Sequence, residues 1–164
     1  MNTVLENLSE VAQPYVLMGV GVPGSGKTTV LREVAAQLNV ARICPDDIRE
    51  ELTGNPSNQT VNAEAWKIAY TRVEAQLRLG RSAIVDVTHT EAWRRPRTIK
   101  MYKEFGAKEV VAAVFAVPRD IAKQRNKQRD RVVPEDVIDR MSSALEASPP
   151  NLDEGFDKII KFNQ

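Results

Sequence analysis

Apolar residues change their spacing several times along the chain, and each change predicts an element. Tyr15 to Val20 (YVLMGV) is a short, nearly continuous apolar run that ends in glycines, the pattern of a strand buried on both faces. From Thr28 to Leu38 the apolar positions Val30, Leu31, Val34, Ala35 and Leu38 line one face of a helix. Ala41 to Cys44 predicts a second strand and Asp46 to Leu52 a short helix. Thr53 to Gln59 (TGNPSNQ) is rich in turn residues, and Val61 to Leu79 forms a longer helix closed by Gly80. Ser82 to Val87 (SAIVDV) and Lys108 to Val117 (KEVVAAVFAV) are the third and fourth strands. Between them Glu91 to Phe105 is helical in character but contains Pro96. A proline costs about 3 kcal/mol in a helix interior, so the expectation is a kink, or a helix whose regular part starts at Pro96. Arg119 to Arg131 (RDIAKQRNKQRDR) predicts a basic helix. Pro134 to Ala147 predicts another, with proline in its first turn and Pro149 and Pro150 to stop it. Phe156 to Phe162 is a weaker fifth strand, and the polar first ten residues read as a tail or lead-in. Strands alternating with helices imply an α/β fold with a parallel sheet and right-handed crossovers. No repeat or second core is evident, so one domain over residues 1–164 is expected.

Composition narrows the function classes. The 164 residues are 42% hydrophobic, with 23 Lys and Arg against 22 Asp and Glu, enough apolar surface for a core without disulfides or structural metal. One cysteine, Cys44, and one histidine, His89, supply neither a disulfide framework nor a Cys/His zinc cluster. The longest apolar run, Val110 to Val117, has eight residues, against roughly 20 for a membrane-spanning helix. No secretory leader pattern opens the chain, so a cytoplasmic protein without a membrane partner is expected. The formal charge of +1 conceals an uneven distribution. Between Arg94 and Arg131 twelve basic residues stand against four acids, a net of +8. Such segregation marks either a surface that meets anions or the solvated faces of two helices.

The strongest chemical signal is GVPGSGKT, Gly21 to Thr28, which fits G-x-x-x-x-G-K-[ST] and falls between an apolar strand and a helix. In such a loop glycines turn backbone N–H groups toward nucleotide phosphates, and the helix N-terminus adds its positive end. Lys27 reaches the β and γ phosphates and Thr28 offers a hydroxyl to Mg²⁺. Gly21, Pro23, Gly24, Ser25, Gly26, Lys27, Thr28 and Thr29 are the candidate ATP-binding residues. A switch GTPase would carry Asn-Lys-x-Asp; the nearest string, Asn126-Lys127-Gln128-Arg129, lacks the aspartate. Just past the second strand, CPDDIRE (Cys44 to Glu50) puts carboxylates at a strand end beside the nucleotide loop, where a general base for an acceptor hydroxyl belongs. Asp46 is the candidate, with helix capping as its alternative, and Asp47 is the candidate cap. Arg49, about one turn on, either orients Asp46 or grips an anionic acceptor. Asp86, ending the third strand in VDVTHT, is a candidate for the Mg²⁺ shell, directly or through water, or else a buried acid tied to backbone. Thr88 and His89 follow it as candidate acceptor contacts, His89 being equally readable as a loop hydrogen-bonder. Cys44, Trp66 and Trp93 read as packing residues, with base stacking the alternative for the tryptophans. Arg125 and Arg129 share a face at i, i+4 and are candidate cations for a transferring phosphoryl group.

GVPGSGKT, Asp46-x-x-Arg49, Asp86-Val87-Thr88 and the stretch Arg125 to Arg129 followed by Val133-Pro134 together resemble the 5′-hydroxyl polynucleotide kinase family, over about Val16 to Ala147. The resemblance implies an adenylate-kinase-like P-loop fold, with a parallel five-stranded sheet of order 2-3-1-4-5 and an arginine-bearing helical lid at about residues 119–147. It implies that Lys27 and Thr28 hold ATP and Mg²⁺ and that Asp46 is the general base. Arg49 would contact an acceptor phosphate, and Arg125 and Arg129 would be lid arginines at the ATP phosphates. The family often shows Asp-x-Thr-Asn at the third strand; here His89 takes the asparagine position. The function expected is transfer of the γ-phosphate of ATP to a 5′-hydroxyl end of DNA or RNA, by a stand-alone kinase or a partner of separate ligase or phosphatase enzymes. A kinase of an antibiotic, sugar or nucleotide sugar is the alternative. A nucleotide-binding module that regulates a partner would keep Lys27 but has no need of Asp46 with Arg49.

Overall fold

Five short apolar segments, each preceded or followed by an amphipathic helix, can bury both of their faces only inside a layered sheet. The computed structural model describes residues 2–129 and 131–163 and has this arrangement. In chain order the elements are α1 (Asn2–Ser9), β1 (Tyr15–Val20), α2 (Lys27–Leu38), β2 (Ala41–Ile43), α3 (Pro45–Thr53), α4 (Asn62–Arg78) and β3 (Ala83–Val85). They continue with α5 (Arg95–Phe105), β4 (Glu109–Ala116), α6 (Arg119–Lys127), α7 (Glu135–Ala147) and β5 (Lys158–Asn163). The strands pair in the order β2-β3-β1-β4-β5, every pairing parallel.

The alternation of β1 sorts the core. Val16, Met18 and Val20 face α4 and α5 and join Ala69, Val73, Ile99 and Tyr102. Tyr15 and Leu17 face the other way, onto Leu31 and Val34 of α2 and Leu8 of α1. A third, small cluster of Val22, Ala122 and Ile138 binds the loop after β1 to α6 and α7. All three of its members are buried, and each contributes on the order of 1–3 kcal/mol when withdrawn from water.

Several boundaries differ from the sequence reading. The lead-in is ordered and not a tail: α1 spans Asn2–Ser9, and Leu8 and Val11 are buried. The helix around Pro96 starts at Arg95, with the proline in its first turn, where the missing N–H costs nothing. The basic helix ends at Lys127, not Arg131, for a reason given below; Asp130, counted in the basic segment, lies outside the described residues. Trp93 is 71% exposed and packs no core. The Arg94 guanidinium lies 4.7 Å from its ring centroid. Asp47 does not cap α3, whose N-cap is Cys44 without a side-chain bond. Among the described residues, no helix is long and apolar enough to cross a membrane.

Candidate active site

Parallel strands deliver their C-terminal ends to one edge of the sheet, so the loop after β1, Asp86 after β3 and α3 after β2 are neighbours there. The loop between β1 and α2 wraps a cavity of about 240 Å³ lined by Gly24, Ser25, Gly26, Lys27, Thr28 and Thr29. Gly24 sits at φ 83°, and a Cβ there would overlap the carbonyl oxygen of Ala122 on α6. Only glycine allows loop and helix to meet so closely.

Charges run across the strand ends in a chain. Lys27 Nζ lies 3.2 Å from Asp86 Oδ1, and Arg42 on β2 donates to Asp86 Oδ2 at 3.0 Å and to Asp47 at 2.5 Å. Asp86 Oδ1 and Ser25 Oγ are both buried and make no hydrogen bond. On the β2 side, Arg49 is buried and fully engaged: Nε donates to the Pro56 carbonyl at 2.9 Å, one terminal nitrogen to Asn62 Oδ1 at 2.7 Å, and the other to Asp46. The second oxygen of Asp46 pairs with Arg131. Asp46 is therefore held between two guanidinium groups, one from its own helix and one from the segment after α6.

That segment explains the early end of α6. Asn126, fully buried, accepts from Val133 N at 3.1 Å and donates to Val133 O at 2.8 Å. Its side chain pairs with the backbone of Val133 as a strand would, so the chain leaves the helix and returns. Arg129 thus lies beyond the helix, and the i, i+4 face expected for it with Arg125 does not form. Both nonetheless line the phosphate-loop cavity.

A larger cavity, about 610 Å³, opens beside Arg49. Its walls are α4 (Asn62, Trp66, Tyr70), the segment from Val87 to Arg95, and α7 (Arg140, Met141). Thr88 and His89 line it, and both are laced to β1. Gly21 N donates to Thr88 O at 3.0 Å, and His89 Nδ1 lies 2.8 Å from the Gly19 carbonyl. A carbonyl only accepts, so Nδ1 carries the proton and Nε2 is an acceptor. Burial pushes the His89 imidazolium down to about 4 from an ordinary 6.5, which keeps the ring neutral at pH 7. The segment is fixed from behind by Arg95, wholly buried, which grips Glu154 with two bonds of 2.6 and 2.7 Å. Arg95 also donates to the carbonyls of His89, Thr90 and Ser148.

The AAA_33 family, an AAA domain, matches residues 16–148. The chain belongs to that family. Solved structures with the same fold include one chain of a Pnkp1/Rnl/Hen1 RNA repair complex. It is 24% identical with a TM-score of 0.74, the match covering 88% of this chain and 47% of that one. The chain therefore spans about half the length of that protein. Shikimate kinase from Acinetobacter baumannii, in complex with shikimate, is 19% identical with a TM-score of 0.56, covering 97% of this chain and 88% of that one. A gluconokinase from Sinorhizobium meliloti 1021 is 15% identical with a TM-score of 0.59, covering 92% and 82%. This AAA_33 chain has the fold of those kinases, and that fold implies a nucleotide and usually Mg²⁺. The residues fit both: a glycine loop backed by a helix N-terminus, the Thr28 hydroxyl, the buried Ser25 Oγ without a hydrogen-bond partner among the described residues, and the buried Asp86 carboxylate, whose Oδ1 is met by the Lys27 ammonium.

Of the candidates read from sequence, the nucleotide set Lys27, Thr28 and the loop comes together with Arg125 and Arg129. Thr88 and His89 come together at the larger cavity, while Asp46 and Arg49 pair with each other and reach its wall through the bond from Arg49 to Asn62. Sequence reasoning missed Arg42, Arg131 and Arg95. A charge inside a three-residue strand, followed directly by the buried Ile43, is the one signal that marks Arg42 as needing a partner.

Proposed function

We propose that this AAA_33 kinase transfers the γ-phosphate of ATP to the 5′-hydroxyl end of a nucleic-acid strand, with Asp46 as general base. The observation that carries this reading is the Asp46 carboxylate, held by Arg49 and Arg131 and linked through Arg49 to Asn62 on the wall of an open cavity that Arg94 and Arg140 also line. ATP enters the loop cavity, where the backbone N–H groups and Lys27 take its phosphates, Lys27 turning to them from Asp86. Thr28 and Asp86 would hold Mg²⁺, Asp86 directly or through water, and the ion would supply positive charge to offset that of the phosphates.

Each carboxylate oxygen has two lone pairs, so contact with a guanidinium leaves Asp46 a site for the acceptor hydroxyl. Asp46 accepts the hydroxyl proton as that oxygen bonds to the γ-phosphorus. The bond to the β-phosphate oxygen breaks, and ADP leaves. Arg125 and Arg129 face the charge that spreads over the transferring group. Arg49, engaged on three sides, orients Asp46; acceptor phosphates fall to the exposed arginines at the cavity mouth.

The test is transfer of labelled phosphate to a panel of 5′-hydroxyl oligonucleotides and small alcohols. Asp46→Asn should lower turnover by about 100-fold or more while sparing ATP binding, and Asp47→Asn should be milder. Equal losses at both, with lower melting temperatures, would return Asp46 to a structural role. Efficient labelling of a sugar or other small alcohol, and of no oligonucleotide, would replace the acceptor.

A further inference from the structure

The larger cavity sets a flat aromatic surface beside exposed cations, a combination that suits a base followed by phosphates better than a neutral polyol. Trp66 and Tyr70 stand one turn apart on α4, their ring centroids 5.4 Å apart and their planes inclined by 36°. Both are only partly buried, and both line the cavity. Arg94 and Arg140 flank them from α5's start and from α7, with side chains 62% and 74% exposed. A sugar is read by several directional hydrogen bonds. An indole backed by a phenol offers a stacking plane, and the two guanidiniums beside it, each in an exposed surface pair with Glu91 or Asp136, can exchange that partner for a phosphate. A ligand with a planar base at one end and phosphodiesters beyond it matches both features, and about 610 Å³ is ample for one nucleoside. Asn62 joins this wall to the chemistry, since it lines the cavity and accepts from the Arg49 that holds Asp46.

We infer that this cavity receives the terminal nucleoside of the acceptor strand, Trp66 stacking on its base and Arg94 and Arg140 facing the phosphates that follow. The inference rests on the polynucleotide reading above and makes its acceptor a single-stranded end. Every base has a π face, so recognition is tolerant of sequence but needs the base out of a duplex stack.

Trp66 and Trp93 are the chain's two tryptophans, and Trp93 lies outside this cavity's lining. In a Trp93→Phe protein, Trp66 is the sole indole reporter. Titration with a 5′-hydroxyl oligonucleotide should quench its fluorescence, and the same strand lacking its first base should quench much less. Trp66→Ala should raise the acceptor KM about tenfold or more and leave the ATP KM unchanged, while Trp66→Phe, which keeps a stacking ring should the truncation fail to fold, retains most of the affinity. If the wild type phosphorylates the oligonucleotide but Trp66 stays bright and base-less ends react equally well, the pocket assignment is overturned and the kinase reading stands. If no oligonucleotide is phosphorylated and a polyol is, the kinase reading falls and takes this inference with it.

Discussion

His89 occupies a left-handed backbone conformation, φ 42°, a region in which asparagine, aspartate and histidine are the enriched non-glycine residues. This gives the exchange of asparagine for histidine a physical basis: either residue suits the turn, and the ring adds a bond to the Gly19 carbonyl. It also adds a pH dependence. Protonated, the ring would be a buried cation beside Lys27 and Arg95, and burial with those charges holds its folded pKa near 4 against an unfolded 6.5. Between these values the unfolded chain binds the extra proton, so stability is full above about pH 6.5 and falls as pH drops toward 4. The loss reaches at most about 3 kcal/mol. Thermal melts of wild type and His89→Asn from pH 7 to pH 4.5 should therefore converge or cross on acidification; parallel curves would show that His89 titrates normally. At this scale, the placement of residues in a local string, such as Lys27 and Thr28 at the loop cavity, was legible. Arg42, Arg95 and Arg131 were not, because the groups they hold lie 44, 59 and 85 positions away, and no local pattern records a distant partner.

Elements were legible where one physical pattern dominated. The apolar run of β1, the glycine loop and the amphipathic α2 follow one another with boundaries moved by at most one residue. The end of α6 was hidden because its basic run keeps helical composition past Lys127, while the event that stops it is a long-range pairing of the Asn126 amide. How closely α6 meets the nucleotide loop was hidden too. Because a Cβ on Gly24 would overlap the Ala122 carbonyl, Gly24→Ala should both strain its own backbone, by about 1–2 kcal/mol, and push α6 off the loop. Gly54→Ala provides the control: its φ of 71° carries similar strain, but a Cβ there meets nothing within 4 Å. The expected result is a larger fall in melting temperature and a loss of ATP affinity for the Gly24 variant alone. Equal melting losses with unchanged ATP titrations would mean that the loop and α6 move apart freely.

On the scale of the whole molecule, the sheet order is the one the family resemblance implies, but the electrostatic picture is smaller than the sequence suggests. Among the described residues, at least eight of the twelve basic residues between Arg94 and Arg131 form ion pairs, several with acids of α7 and the C-terminal segment. Linear charge counting cannot see this, because the compensating acids come from other elements. Acceptor binding should accordingly show a modest salt dependence. With Arg94 and Arg140 as two phosphate contacts, the log–log slope is about −1.4, where eight unpaired cations would give about −5.6. Acceptor KM measured at several salt concentrations with ATP saturating separates the two. The Asn126 clamp acts across the same distance. Its two bonds to Val133 close the chain between them into a ring that presents Arg129 to the phosphate loop and Arg131 to Asp46. Ordering a free loop of that length would draw on the binding energy of each ATP. Under the proposed mechanism the Asn126 bonds would spare part of that cost, since Arg129 lines the nucleotide cavity from a segment tied back to α6, and more binding energy would be left for the transition state.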